Sequence, residues 1–230
     1  MKNNVELIGH YGSDHTHALS AWTSTNRELS TEKIERIPAL LKTLADSGHE
    51  TPFEKSSIHF LVTTDIASHI HLLKHRIAVT INAESARYKE LKEDKFYIPE
   101  DWGELQVNEK HHNNNYIGAQ VEANWGSYTW KQALAEYTIL GNMLYHKCLE
   151  DLTPTLGRKR AKESARYFKT YNSQITADVM FNWRSFVHFY KLRADEHAQL
   201  EIQMIAKEML EQIKQIEGNP FEHTIKAFNL

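Results

Sequence analysis

Hydrophobic and polar positions along this chain switch between a period of two and a period near 3.6, and the switches mark its elements. Val5–Tyr11 predicts a short strand. Ile34, Ile37, Leu41 and Leu44 recur at spacings of three, four and three, one face of a helix. Pro38 within that face either kinks the helix or opens a second one as its first residue, and Gly48 supplies a stop. Ser57–Thr63 puts Ile58, Phe60 and Val62 on one side and predicts a strand. Asp65–Arg76 returns to a helical pattern through Ile66, Ile70 and Leu73. Ser85–Glu90 reads as extended, Tyr97-Ile98-Pro99 closes that region, and Lys110–Asn115 is polar enough for a loop. The longest helical pattern is Ile117–His146, through Ile117, Val121, Trp125, Tyr128, Gln132, Ala135, Ile139, Asn142 and His146. Tyr167–Val179 is rich in Thr, Tyr and Ile and predicts a strand. Asn182–Leu192 and Ala198–Ile216 predict helices. The sum is an α+β chain, helix-rich, with one modest sheet.

Composition narrows what such a chain can do. Its 230 residues can bury a real core in one compact domain or two small ones. One Cys excludes an internal disulfide and any multi-Cys metal centre, and fits a reducing compartment. There are only nine Gly, and neither G-x-G-x-x-G nor G-x-x-x-x-G-K-[ST] occurs, so no nucleotide is expected on a Rossmann or P-loop turn. The longest stretch without Asp, Glu, Lys or Arg is His15–Asn26, 12 residues, too short for a membrane span. Met1–Glu6 lacks the apolar core of a signal peptide. A cytoplasmic protein is expected. A net charge of −3 does not suit a general nucleic-acid surface, and no nucleic-acid partner is expected. Arg158–Lys169 nevertheless gathers six cations around the single acid Glu163, either a solvated helix face or an anion site.

Several groupings can carry chemistry. His71 and His75 are i, i+4 on one helical face, a spacing open to a metal but better read as polar or anion-binding histidines, because no third ligand is evident. Lys74-His75-Arg76 concentrates cations at a helix end, where they complement the dipole and can meet a phosphate. Ser85 and Arg87, two apart in an extended chain, would point the same way toward a phosphate monoester. Gly48–Glu54 is a polar stretch between a helix and a strand. Arg184 with His188, and Arg193 with His197, repeat the i, i+4 spacing; His197 with Glu201 reads as a structural pair. Cys148 reads as a small packed side chain at a helix end and not as a nucleophile.

These pieces together resemble the flavin-dependent thymidylate synthases. Lys74-His75-Arg76, eight residues, then Ser85-Ala86-Arg87-Tyr88 is similar to that family's R-H-R-x(7–8)-S signature. Gly48-His49-Glu50-Thr51-Pro52-Phe53-Glu54 resembles its H-x-[ST]-P-F-E block. Asn182-Trp183-Arg184-Ser185 and Leu192–Ile202 resemble its N-x-R-S and L-R-x-D-x-H-A-Q-x-E-I blocks. Order and spacing agree from about Trp22 to Gln203.

The resemblance implies an α+β fold: a helix-rich single domain over 1–230 around a modest, mainly antiparallel sheet, with no dinucleotide-binding domain. It implies reductive methylation of dUMP to dTMP, with 5,10-methylenetetrahydrofolate and NADPH as co-substrates acting through bound FAD, in a homotetramer with interfacial active sites. Carried over by motif position, FAD contacts fall on Ser24, Thr51, Glu54, Lys74, His75, Arg76, Asn182, Arg184 and His188, and His49 lies near flavin and folate. The nucleotide falls to His71, Ser85, Ala86 through its backbone, Arg87, Arg166 and Arg193, with Arg193 polarising the pyrimidine. This chain departs from the pattern at five places. Lys74 stands for the first Arg of R-H-R, Ala83 for Glu or Gln, His71 for Gln, Ala86 for Gly, and Phe168-Lys169 for Leu-Pro after Arg166. The alternative is a catalytically silent nucleotide- or RNA-binding protein of the same fold.

Overall fold

A computed structural model describes residues 1–107 and 129–230. Its elements in chain order are β1 (Asn4–Tyr11), α1 (Asp14–Trp22), α2 (Thr31–Glu35), α3 (Ile37–Asp46), β2 (Ser57–Asp65), α4 (Ile66–Leu73), β3 (Val79–Ala83), α5 (Trp130–Ala165), β4 (Gln174–Phe181), α6 (Trp183–Arg193), α7 (Leu200–Lys214) and α8 (Glu222–Ala227). Single 3-10 turns lie at Thr51–Glu54 and Arg166–Phe168. The sheet order is β1-β2-β4-β3, with β1/β2 and β3/β4 antiparallel. The helix-rich α+β reading with a small antiparallel sheet therefore holds. None of the described helices is long and apolar enough to cross a membrane.

The chain forms two compact units, one of Asn3–Glu84 with Thr176–Leu230 and the other of Met1–Lys2 with Ser85–Ile175. In the first, Leu41, Phe53, Ile58, Phe60, Trp183 and Phe186 are fully buried. The i, i+2 alternation that predicts β2 puts Ile58, Phe60 and Val62 into this core. Pro38 settles its two options by sitting in the opening turn of α3, where its missing N–H costs nothing. Side chains fix other helix starts: Asp65 caps α4 by accepting from the Ser68 amide at 2.8 Å, and Asn182 caps α6 by accepting from the Ser185 amide at 2.8 Å. β1 is an edge strand with an irregularity between Leu7 and Gly9. The Gln212 amide on α7 accepts from Leu7 N–H at 2.7 Å and donates to the Val5 carbonyl at 2.8 Å, so these edge groups are satisfied within the chain.

In the second unit α5 carries a capping box of Thr129 and Gln132 and bends at Gly157. The part of the helix expected over 117–128 lies outside the described residues, as does the loop expected at 110–115. The expected stripe is displaced: Ile139 is exposed, and the buried face is Ala133, Thr138, Gly141, Asn142, Tyr145 and Leu149. Gly141 is required by contact, because a Cβ there would lie 2.6 Å from the Phe168 carbonyl oxygen. That close approach seats the Arg166–Phe168 turn on α5.

Lys169, just beyond this turn, is almost wholly buried. Its ammonium donates to Asp94 Oδ1 and Asn142 Oδ1, each at 2.7 Å, and lies 4.4 Å from the Tyr145 ring centre. Burial works to raise the Asp94 carboxyl, but hydrogen bonds from Lys169 and His146 outweigh it and hold the group below the usual carboxylate range. Asp94→Ala is expected to cost about 2 kcal/mol, because a buried ammonium loses its carboxylate partner while keeping Asn142 and the ring. Denaturant midpoints of wild type, Asp94→Ala and Asp94→Asn measure this, and an unchanged midpoint for Asp94→Ala would refute it.

Candidate active site

Two groups of side chains within the first unit bring sequence-predicted residues together. One lines a cavity of about 460 Å³ whose wall includes Ser24, His49, Glu50, Thr51, Pro52 and Arg184. Arg184, on the first turn of α6, is held at two points: Nε donates to Glu50 Oε2 at 2.8 Å and Nη1 to Glu54 Oε1 at 2.6 Å. This double hold fixes the planar guanidinium against the Thr51–Glu54 turn. The Ser24 hydroxyl donates to the Ala21 carbonyl at 2.9 Å. His49 and Thr51 are exposed at the rim.

The second group surrounds Arg193 at the C-terminal end of α6. Its Nε donates to His75 Nε2 at 3.0 Å, and its Nη1 lies 3.3 Å from His71 Nδ1. His71 Nε2 is 3.1 Å from Gln199 Oε1, and the Gln199 amide nitrogen donates to Glu201 Oε2 at 2.7 Å. His75 is buried, edge-on to Phe189 at 5.0 Å and to His188 at 5.8 Å between ring centres. Burial first, then the charge of Arg193, pushes the His75 imidazole down to about 4, so it is a neutral acceptor at physiological pH. α4 ends at Leu73, short of the expected Arg76. Lys74 and Arg76 therefore flank His75 beyond the helix end, both exposed, and neither meets a carboxylate among the described residues. His71 and His75 both face the Arg193 guanidinium, a pure donor.

The remaining nucleotide-site candidates lie in the second unit. Ser85–Glu90 is a turn and not extended: the Ser85 carbonyl accepts from Tyr88 N and Lys89 N, and Ser85 Oγ accepts from Arg87 N at 3.3 Å. A hydroxyl that satisfies the amide two residues on favours this turn over a strand. Ala86 sits inside it. The Arg87 Nε donates to Glu163 Oε1 at 2.8 Å. Glu163 and Arg166 are three residues apart at the end of α5, so they share a helical face. The cationic run proves to be mostly engaged: Arg158 meets Glu90, Arg160 meets Glu163, Lys162 donates to the Tyr88 carbonyl, and Lys169 meets Asp94. Arg166 has no side-chain partner among the described residues.

One expected pairing fails and one further residue joins the site. The His197–Glu201 pair does not form: Glu201 is buried and accepts from Gln199, while His197 is exposed beside Glu196. Gln199 joins the Arg193 group although spacing alone gave it no role. Cys148 is the packed side chain expected, against Tyr145, Leu149, Ala161 and Ala165, but within α5 and not at a helix end.

Residues 6–217 match the family described as thymidylate synthase complementing protein. The chain belongs to this family of flavin-dependent thymidylate synthases. As a member of it, the chain is 32% identical over 215 residues to the flavin-dependent thymidylate synthase of Pseudothermotoga lettingae, covering 92% of this chain and 85% of the relative. It is 29% identical over 214 residues to that of Wolbachia pipientis wMel, covering 91% and 69%. Among solved structures, the UMP/dUMP methylase PolB of Streptomyces cacaoi bound with 5-Br dUMP superposes with a TM-score of 0.73 at 27% identity, covering 99% of this chain and 95% of that one. The same methylase bound with 5-Br UMP gives a TM-score of 0.70 at 25% identity. This flavin-dependent synthase family member is an enzyme of the same fold as those methylases.

Proposed function

We propose that this enzyme methylates dUMP reductively to dTMP in the cytoplasm, using 5,10-methylenetetrahydrofolate and NADPH with FAD, as one synthase domain over 1–230. The observation that carries the reading is Arg193, a cation held by two imidazoles with no carboxylate within ion-pair distance among the described residues. Such a guanidinium keeps its full field for charge developing on a pyrimidine carbonyl.

The chemistry of the donor set fits a flavin dinucleotide. Lys74 and Arg76 offer two cations with no described carboxylate for a diphosphate; Ser24, Thr51 and Arg184 line one cavity, and Glu54, Asn182 and His188 belong to the same unit. His49 stands at the rim of the 460 Å³ cavity, suited to flavin and folate rings. Bound FAD would supply the redox chemistry, passing on hydride taken from NADPH. The protein's part is position and field. Carried over by motif, Ser85, the Ala86 amide, Arg87 and Arg166 meet the nucleotide phosphate and Arg193 meets its ring, at the subunit interfaces of a homotetramer, with His71 acting through Arg193. A tetramer is supported by apolar side chains exposed on α5, among them Tyr137, Leu140, Met143 and Leu144.

Purified protein is expected to be yellow with a flavin spectrum. It is expected to release tritium from 5-tritiated dUMP only when NADPH and methylenetetrahydrofolate are both present. A colourless protein that takes up no FAD and releases no tritium sinks the proposal. UMP is a second candidate substrate, favoured by the likeness to a UMP/dUMP methylase; 5-tritiated UMP in the same assay separates the two.

A further inference from the structure

Arg193 reaches its two imidazoles with different nitrogens, and the donor rules fix both rings. A guanidinium only donates, so each ring nitrogen it meets must present a lone pair. For His75 that nitrogen is Nε2, at 3.0 Å; for His71 it is Nδ1, at 3.3 Å. The second nitrogen of His71 then carries the proton and donates to Gln199 Oε1 at 3.1 Å. Gln199 keeps its oxygen toward His71 because its amide nitrogen donates to Glu201 Oε2 at 2.7 Å. Glu201 is buried and accepts only, so it dictates the orientation of the amide, and the amide dictates the tautomer of His71. His75 is clamped in its own plane by Phe189 and His188.

We propose that His71 and His75 are positioning residues which hold Arg193 through two neutral ring lone pairs in opposite, fixed tautomers, with Gln199 and Glu201 setting the His71 arm. This rests on the synthase reading above and deepens it. Neutral acceptors orient the guanidinium without cancelling its charge, which a carboxylate at the same distance would do. One acceptor on Nε and one on Nη1 also fix the plane of the guanidinium fork, which a single contact leaves free to rotate.

Two measurements test it. Ring nitrogen NMR of wild-type protein at mildly alkaline pH is expected to show the Nδ1–H tautomer for His75 and the Nε2–H tautomer for His71. Gln199→Leu is expected to turn His71 into a tautomer mixture while His75 is unchanged. Either wild-type ring in the reverse tautomer, or a His71 pattern indifferent to Gln199→Leu, overturns the proposal. Steady-state kinetics per bound flavin form the second arm. Gln199→Leu and His71→Leu are each expected to lower kcat and kcat/KM together, by about ten-fold, the worth of one well-placed hydrogen bond. His71→Gln, which again offers an acceptor to Arg193 and a donor to Gln199, is expected to recover most of the loss. A rise in KM alone, or no recovery by glutamine, overturns it. If the wild type shows no turnover, the synthase reading fails, and the tautomer pattern still decides whether the clamp exists.

Discussion

Arg193→Ala is expected to lower turnover by about 10²–10³-fold while leaving flavin bound, the cost of removing one preorganised charge from a developing oxyanion. The size follows from how Arg193 is held. Its acceptors are fixed before any substrate arrives, so its field is in place when charge develops and no reorganisation is needed. Arg193→Lys is expected to recover little. The two imidazoles meet Nε and Nη1 of one planar group, and a single ammonium cannot serve both at the same distances. Flavin should survive the change, because Lys74 and Arg76 lie on a separate segment from α6 and have no described carboxylate to neutralise them. Absorbance of the purified variant gives flavin content, and tritium release gives turnover. Loss of flavin with full activity per remaining flavin would reverse the assignment.

The parts of the fold that sequence predicted are those where burial and apolar character coincide. β2 and α7 bury the residues their periodicity picks out, Ile58 and Phe60 or Ile202 and Ile205 among them, and α3 buries Ile37 and Leu41 of its expected face while Ile34 lies exposed in α2. α1 was missed because its buried positions are Asp14, His17 and Ala18, which carry no apolar period. α5 was found with Asn142 on the expected face, but the facing is shifted: Thr138, Gly141 and Tyr145 are inside, while Ile139 is outside. A long helix that exposes its apolar side gives the wrong face to any rule based on hydrophobicity. β3 was missed because it is only five residues long, too short for the alternation of Val79, Ile81 and Ala83 with Thr80 and Asn82 to stand out. At the site, spacing brought out the i, i+4 histidines and the Lys74–Arg76 cations, and motif resemblance assigned them roles. Neither could show that Arg193 lies between His71 and His75, because that contact joins residues 118 and 122 positions apart. Gln199 escaped for the same reason, its partners being set by how α4 and α6 meet the segment before α7.

Stability is expected to fall in mild acid through one fully buried imidazole, His17. Its Nδ1 lies 2.9 Å from Thr224 Oγ1 and its Nε2 2.9 Å from Ser56 Oγ. The Thr224 hydroxyl donates to Asp14 Oδ1 at 2.5 Å, so it must accept from His17 Nδ1–H, and Ser56 must donate to Nε2. Phe53 and Phe221 pack against the ring, with centres 5.2 and 5.9 Å away. Burial pushes the imidazole down to about 3 from an ordinary 6.5. The unfolded chain therefore binds a proton below about pH 6.5 that the folded chain refuses until about pH 3. The contribution of His17 is whole above the upper value, declines by about 1.4 kcal/mol per pH unit below it, and is lost by the lower one, on the order of 5 kcal/mol in all. His17→Gln keeps a donor and an acceptor in the same place but cannot titrate. It is expected to be less stable than wild type at neutral pH, through imperfect packing among the aromatic rings. Its deficit should shrink steadily as the pH is lowered from 6.5 toward 4, because only the wild type loses this term. Denaturant unfolding at several pH values reads the difference. Parallel stability curves for the two proteins would show that His17 is not the group responsible.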